Sequence, residues 1–227
     1  MKKGLRCEDM GLELPDGRGH ERMVLRNVTA VFPPGRIALV AGDTGAGKTS
    51  LIHVLACLIR PTQGRVIADD RPVSAWTSPH QDRWRRGVGI AFQHPRLLER
   101  LTALENVMLP LVPFGGRPDD LRQRAVESME RLGIAHLRSD TALALSGGEA
   151  QRTALARALV ASPRFVFADE PTSHQDSDGA DLVKKALGAC RREHAVVVVT
   201  THDSRLLDST LPDNRYRLVS GRLEALP

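Results

Sequence analysis

Residues 42–49 read G-D-T-G-A-G-K-T, a G-x-x-x-x-G-K-[ST] pattern in which each fixed position has a chemical reason. Gly42, Gly45 and Gly47 let the backbone curl until successive N–H groups surround a phosphate. A helix starting at the lysine adds its positive end. Lys48 reaches the β- and γ-phosphates, and the Thr49 hydroxyl is placed for Mg2+. Asp43, Thr44, Ala46 and Ser50 complete the phosphate-binding segment, with the Asp43 carboxylate expected to face solvent. A second group, Asp169-Glu170, follows the apolar run 165–168 (FVFA). Such a strand delivers both carboxylates to the carboxyl edge of a parallel sheet, where open α/β sheets bind ligands. Asp169 is expected to hold Mg2+ through water. Glu170 should point to the other side, free to polarise a water molecule. The third group is L-S-G-G-E-A-Q-R at 145–152. Its Ser146, Gly147 and Gly148 sit at a helix start with N–H groups facing outward to take an anion. Taken singly, a glycine-rich turn or an acidic loop would explain the first two groups; together they point to nucleotide phosphate chemistry.

These groups need elements to hold them, and the apolar pattern supplies candidates. Short strands are expected at 37–41 (IALVA), 88–92, 165–168 and 196–200, the last being VVVVT and rich in β-branched residues. A helix should run over 48–58, with Leu51, Ile52, Leu55 and Ile59 on one face. Helical spacing recurs at 121–132 and 149–161, inside a helical stretch from Thr102 to Ser162. Both ends are β-rich, at 23–32 and at 215–226 around a Ser220–Gly221 turn. Strands alternating with helices give an α/β class, with one composite domain holding a helical insertion.

Composition removes several alternatives. With 227 residues, 41% apolar and 26% charged, the chain can bury a core and is not disordered. No apolar run approaches the length of a membrane span. The first eight residues lack an apolar stretch, so no secretory signal is expected. Three scattered cysteines favour a reduced, cytosolic setting. A net charge of +5 spread over the whole chain, without interleaved aromatics, is an ordinary surface, and no nucleic acid is expected as a partner.

The L-S-G-G-E-x-Q-R string, placed between the phosphate loop and the Asp-Glu strand, resembles the signature motif of ATP-binding-cassette ATPases, and the resemblance covers essentially the whole chain. It implies an α/β P-loop NTPase core with a mixed sheet, an N-terminal antiparallel β-subdomain and an inserted α-helical subdomain. Residues 1–227 would form a single domain, with 1–94 and 163–227 as catalytic core and 95–162 as the helical subdomain. The implied cofactors are ATP and Mg2+. Gln93 matches the glutamine loop that senses Mg2+ and the attacking water, Asp176 the aspartate loop that communicates across a dimer, and His202 the switch histidine at the γ-phosphate. Glu170, His202, Gln93 and Lys48 are then the catalytic set, and Thr49, Gln93 and Asp169 the metal set. Ser146, Gly147, Gly148 and Asp176 would serve a nucleotide shared with a second copy in a head-to-tail homodimer. Residues 101–111 (LTALENVMLPL), 155–159 (LARAL) and 168–172 (ADEPT) resemble the group serving lipoprotein release, macrolide export and bacterial cell division. Its members work beneath separate transmembrane permease-type subunits. That implies a cytoplasmic protein attached peripherally to the inner membrane. A non-hydrolysing ATP-binding scaffold and a soluble ATPase unconnected with transport are the alternatives.

Three positions depart from the family pattern. The aromatic side chain that commonly stacks on adenine is missing from 12–17 (LELPDG), leaving Leu14, Pro15 or Arg18 as an apolar or cation–π substitute. Asp43 places a negative charge in the phosphate loop. Gln175 stands where leucine is usual, which is expected to alter dimer communication slightly.

Overall fold

The computed structural model describes residues 3–16 and 20–226. In chain order the strands are β1 (Leu5–Pro15), β2 (Glu21–Phe32), β3 (Arg36–Ala41), β4 (Gln63–Ala68), β5 (Val88–Ala91), β6 (Phe165–Asp169), β7 (Val196–Thr201), β8 (Asn214–Val219) and β9 (Arg222–Leu226). The helices are α1 (Lys48–Leu55), α2 (Ser78–Arg85), α3 (Ala103–Met108), α4 (Pro118–Arg131), α5 (Gly147–Leu159), α6 (Ser177–Arg192) and α7 (Ser204–Leu207). Two sheets result: an antiparallel one in the order β2-β1-β4, and a six-stranded one in the order β5-β6-β7-β3-β8-β9. The latter is parallel from β5 to β8 and closes with the antiparallel β8–β9 pair. It is therefore the expected mixed sheet.

The valine run explains why β7 lies near the middle. A parallel strand covered on both faces needs apolar residues at every position rather than at alternate ones. Val197 and Val199 enter one apolar cluster with Ile37 and Leu39 of β3 and with α3 to α6. Val196 and Val198 enter a second cluster with Ala38, Val40, α1 and the antiparallel sheet. Leu104 and Val107 of α3, Met129 of α4 and Leu155 of α5 belong to the first cluster. The helices between β5 and β6 thus share a core with the sheet, as a composite domain requires.

Local signals set the helix starts. Thr102 and Glu105 form a capping box on α3, with Glu105 N donating to Thr102 Oγ1 at 3.1 Å and Thr102 N donating to Glu105 Oε2 at 2.7 Å. Ser146 and Glu149 repeat it on α5. Helix α1 is shorter than its periodicity suggests. Cys57 takes a left-handed φ of 52°, and the Leu58 and Ile59 N–H groups turn back to the His53 carbonyl. Ile59 therefore leaves the helix. Strands β1 and β4 were not apparent from the pattern. In β1 the register slips between Cys7 and Met10 and again near Leu12, with Asp9 at φ 44°, so the alternation that would mark a strand is broken.

Asn106 is fully buried, and its side chain holds the segment leading into α3. Its Oδ1 accepts from Leu98 N at 2.8 Å, and its Nδ2 donates to the carbonyls of Leu98 at 3.1 Å and Thr102 at 3.0 Å. Asn106→Ala should cost about 1–3 kcal/mol by leaving these backbone groups without partners. A urea-denaturation midpoint within error of the parent protein would show that this side chain is dispensable.

Candidate nucleotide-binding site

Strand β3 ends at Ala41, and the chain turns through 42–47 into α1. The glycines serve different purposes. Gly47 has φ 104°, a left-handed conformation closed to most side chains. Gly42 is not left-handed; a Cβ there would lie 2.7 Å from the Leu218 carbonyl, so close approach to β8 is what excludes a side chain. Asp43 is exposed, as expected. Lys48 is buried and its Nζ donates to the Gly42 carbonyl at 2.7 Å and the Asp43 carbonyl at 3.3 Å, while lying 3.4 Å from Glu170 Oε1.

The two carboxylates reach the same place from β6. Asp169 and Glu170 are only 1% and 3% exposed, and burial of such groups requires hydrogen-bonded compensation. Asp169 Oδ2 accepts from Thr49 Oγ1 at 2.5 Å and Oδ1 from Thr200 Oγ1 at 2.6 Å. Glu170 sits at φ 49°. It is not free, contrary to the sequence expectation. Its Oε2 accepts from Thr201 Oγ1 at 2.9 Å and from His202 N at 3.2 Å, and its Oε1 lies 2.6 Å from His202 Nδ1. The turn after β7 brings His202 against Glu170, so the acid is held as well as placed. Thr200 and Thr201 had no role in the sequence reading, although two hydroxyls at the end of an otherwise all-valine strand were the available signal.

A cavity of about 230 Å3 opens over these groups, and Thr44, Gly45, Gly47, Lys48, Thr49, Ser50, Gln93, Asp169, Glu170 and His202 all line it. Gln93 is exposed and follows β5. Helix α5 grips its neighbours: Gln151 Nε2 donates to the Phe92 carbonyl at 3.1 Å, and Arg157 donates to the carbonyls of Pro95 and Arg96 at 2.8 and 3.0 Å. Ser146, Gly147, Gly148 and Asp176 do not line this cavity. Ser146 caps α5, and the capping box does not engage the N–H groups of Gly147 and Gly148. Asp176 caps α6, its Oδ1 accepting from Gly179 N at 2.7 Å. Gln175 links the two helix starts, with Nε2 donating to the Gly148 carbonyl at 2.9 Å and Oε1 accepting from Arg152 at 2.5 Å.

A wider cavity of about 720 Å3 adjoins the first, between Arg22, Val24, the phosphate loop and residues 218–221. Arg22 lines both cavities, and the sequence reading did not single it out. No Phe, Tyr or Trp among the described residues lines either one. Tyr216 packs edge-on against Phe32 at 5.8 Å. Leu14 pairs with Arg22 and Pro15 with Glu21 across β1 and β2, whereas Arg18 lies outside the described residues.

The ABC transporter family profile matches residues 25–173, from within β2 to just beyond the Asp-Glu pair. The chain belongs to the ABC transporter ATP-binding family. It is 34% identical over 206 residues to the lipoprotein-releasing system ATP-binding protein LolD of Idiomarina loihiensis, covering 90% of each chain. Its fold matches the dimeric bacterial ABC transporter cassette MJ0796 with a TM-score of 0.91 and 28% identity, over 98% of this chain and 99% of that one. The same cassette in a post-hydrolysis dimer with ADP and Pi matches equally well. CbiO1 of Clostridium perfringens, part of the transporter complex cbiONQ, matches with a TM-score of 0.81 and 25% identity, over 98% and 87% of the two chains.

As a cassette of this family the chain is an ATPase that uses ATP and Mg2+. The donor set suits a hard cation: a hydroxyl on Thr49, the buried Asp169 carboxylate bonded to it, and the Gln93 amide on the same cavity wall. Among the described residues no three His, Cys, Asp or Glu gather into a cage of their own. Mg2+ characteristically binds one or two carboxylates and shares the substrate's phosphates.

The loop carrying Asp176 is tied to the end of β7. Asp203 Oδ2 accepts from Thr172 Oγ1 at 2.6 Å and from Arg205 at 2.7 Å, and Arg205 also donates to the carbonyls of Gln175 and Asp176 at 2.8 and 3.1 Å. The Arg205 hydrogen bonds, supported by Thr172, hold the Asp203 carboxyl down to about 2 against burial, which acts the other way. A depressed folded-state value stabilises above the unfolded value and is lost as pH falls through the folded one. Asp203→Asn should therefore cost on the order of 2 kcal/mol near neutral pH. The gap to the parent should close between about pH 4 and pH 2, which acid-titrated denaturation curves read directly. A gap that stayed constant to the acid limit would remove the carboxylate from this account.

Proposed function

We propose that the chain is the motor subunit of a membrane complex, closing on ATP as a head-to-tail pair with a second copy and opening after hydrolysis. The observation that carries this is the split of its phosphate-binding parts. Lys48, Thr49, Asp169, Glu170 and His202 converge on one cavity, while the Ser146-Gly147-Gly148 helix start stands apart from it. That helix start can complete a phosphate site only on another subunit. In the closed pair Lys48 leaves the loop carbonyls for the β- and γ-phosphates, and the partner subunit's Ser146 and Gly148 donate to the γ-phosphate from the far side. Glu170 orients the attacking water and accepts its proton, His202 aligns the γ-phosphate, and Gln93 reports its presence to α5 through the segment that Gln151 and Arg157 hold. Bound Mg2+ would neutralise charge on the phosphate oxygens, held by Thr49 and Asp169 with Gln93 beside them.

Residues 1–94 and 163–227 then act as the catalytic core and 95–162 as the arm that moves. No helix among the described residues is long and apolar enough to cross a membrane, so we assign the membrane part to separate permease-type subunits, with the chain on the cytoplasmic face of the inner membrane. The likeness to LolD favours the lipoprotein-release group, and force transmission to a membrane partner over a free-standing ATPase.

Glu170→Gln should lower Mg-dependent ATP hydrolysis by roughly 10²–10⁴-fold and trap an ATP-bound dimer on size-exclusion chromatography. Lys48→Ala should abolish both the activity and the dimer. A parent protein that binds ATP but shows no Mg-dependent turnover, with or without membranes, would make it a scaffold instead. Co-purification from solubilised membranes, compared with the soluble fraction, separates the transport-coupled reading from the free-standing one.

A further inference from the structure

Both tryptophans of the chain line a single cavity, at the opposite end of the sheet from the phosphate loop. Strands β5 and β6 begin there, at Val88 and Phe165, and run towards the nucleotide site at their other ends. The cavity measures about 410 Å3 and carries Arg71, Arg83 and Arg164 against the one carboxylate of Asp69. That carboxylate is already taken, since Arg164 donates to it at 2.5 Å. The guanidinium groups of Arg71 and Arg83 have no hydrogen bond or ion pair with any described residue. Two further donors are buried without a partner: Trp84 Nε1 and Arg164 Nε. Both atoms are shut off behind the wall, and the free guanidinium groups of Arg71 and Arg83 are the donors left for an incoming acceptor.

The turn backbone and the rings of the wall are held in place, while the Arg71 and Arg83 side chains are exposed. Arg71 is set by a tight turn, with Ala68 and Arg71 exchanging backbone hydrogen bonds of 2.9 Å and Asp69 and Asp70 at φ 50° and 62°. Trp84 packs on the Phe165 ring at 5.5 Å, and the Arg164 guanidinium lies 5.6 Å from the same ring. Trp76 is backed by His80 at 6.3 Å.

We propose that this cavity is a second ligand site, taking a small organic oxyanion that carries a flat ring, of the size and chemistry of a nucleoside monophosphate. Forked guanidinium donors match phosphate or carboxylate oxygens, and tryptophan faces take planar rings. The volume lies within the range of small-molecule sites. The site shares no residue with the phosphate loop and does not depend on the ATPase reading.

The two tryptophans are also the reporter. The full-length protein is titrated with AMP and, separately, with inorganic phosphate, following tryptophan emission. AMP should give a saturable change with a Kd of roughly 1 mM or tighter, and phosphate should bind at least about tenfold more weakly because it lacks the ring. Arg83→Ala alone, and the Arg71→Ala/Arg83→Ala pair, should weaken AMP binding by about tenfold or more with unchanged circular dichroism and unchanged Mg-ATPase activity. Lys48→Ala should leave the AMP titration as it is. The proposal falls if emission does not saturate, or if both arginine variants titrate like the parent. Loss of the signal in Lys48→Ala would overturn it too, by placing AMP at the phosphate loop. Phosphate matching AMP would reduce the cavity to bare anion pairing on arginine and end the case for a ring-binding site.

Discussion

Two carboxylates stand side by side at the end of β6 with almost no access to water, and much of the site follows from keeping them there. Each needs donors, because an ionised group deprived of solvent is costly unless it is surrounded by hydrogen bonds. The donors come from three directions: Thr49 at the start of α1, Thr200 and Thr201 at the end of β7, and His202 just beyond it. Lys48 approaches Glu170 as well. The order β6-β7-β3 in the sheet is what makes this possible, since it places the hydroxyl-bearing end of β7 between the Asp-Glu pair and the strand that leads into the phosphate loop. A different neighbour for β6 would leave the pair without compensation.

The same constraint shapes how the site can respond. Glu170 shares its two oxygens among a histidine ring, a threonine hydroxyl and a backbone N–H, so the proposed activation of water by this carboxylate requires a rearrangement in which His202 gives up its hold. Lys48, bonded to loop carbonyls, would on the same proposal exchange those for phosphate oxygens. Both exchanges would replace one satisfied polar arrangement with another of similar chemistry, the kind of balance that differential ligand binding can decide. Helix α5 lies in the path of any such change. It caps itself with Ser146 and Glu149, holds the Gln93 segment through Gln151 and Arg157, and meets the Asp176 loop through Gln175.

The phosphate loop, the Asp-Glu strand and the central valine strand were legible in the sequence because each depends on residue type at fixed local spacing. The capping box at Ser146 is equally local, as serine followed three residues later by glutamate. What was not legible depends on side chains meeting across the fold. Nothing near Thr201 announces that its hydroxyl serves Glu170, and nothing near Gln151 points to the Phe92 carbonyl. Glu170 was expected to be free because its neighbours in space are distant in the chain. Strand β1 escaped notice for a different reason: a bulge near Asp9 breaks the alternation on which strand recognition rests. Arg22 was missed because an exposed arginine on an edge strand carries no pattern at all.

Aromatic side chains are scarce here, with eight in the chain, and their placement shows what the nucleotide site relies on. Phe32 and Tyr216 pair with each other, Trp84 with Phe165, and Phe92 with His53. These rings pack the sheets and helices, and none among the described residues lines either of the two cavities that Arg22 shares at the phosphate loop. What that end offers a nucleotide is instead the phosphate-loop backbone, Lys48, Thr49 and the carboxylate pair, which line one cavity and on the proposed function meet phosphate and metal. The wider cavity beyond it offers backbone from 218–221 and the Arg22 side chain. On the proposed function, a site organised in this way draws its affinity from the triphosphate, the same part of the nucleotide that a second copy would recognise on closure.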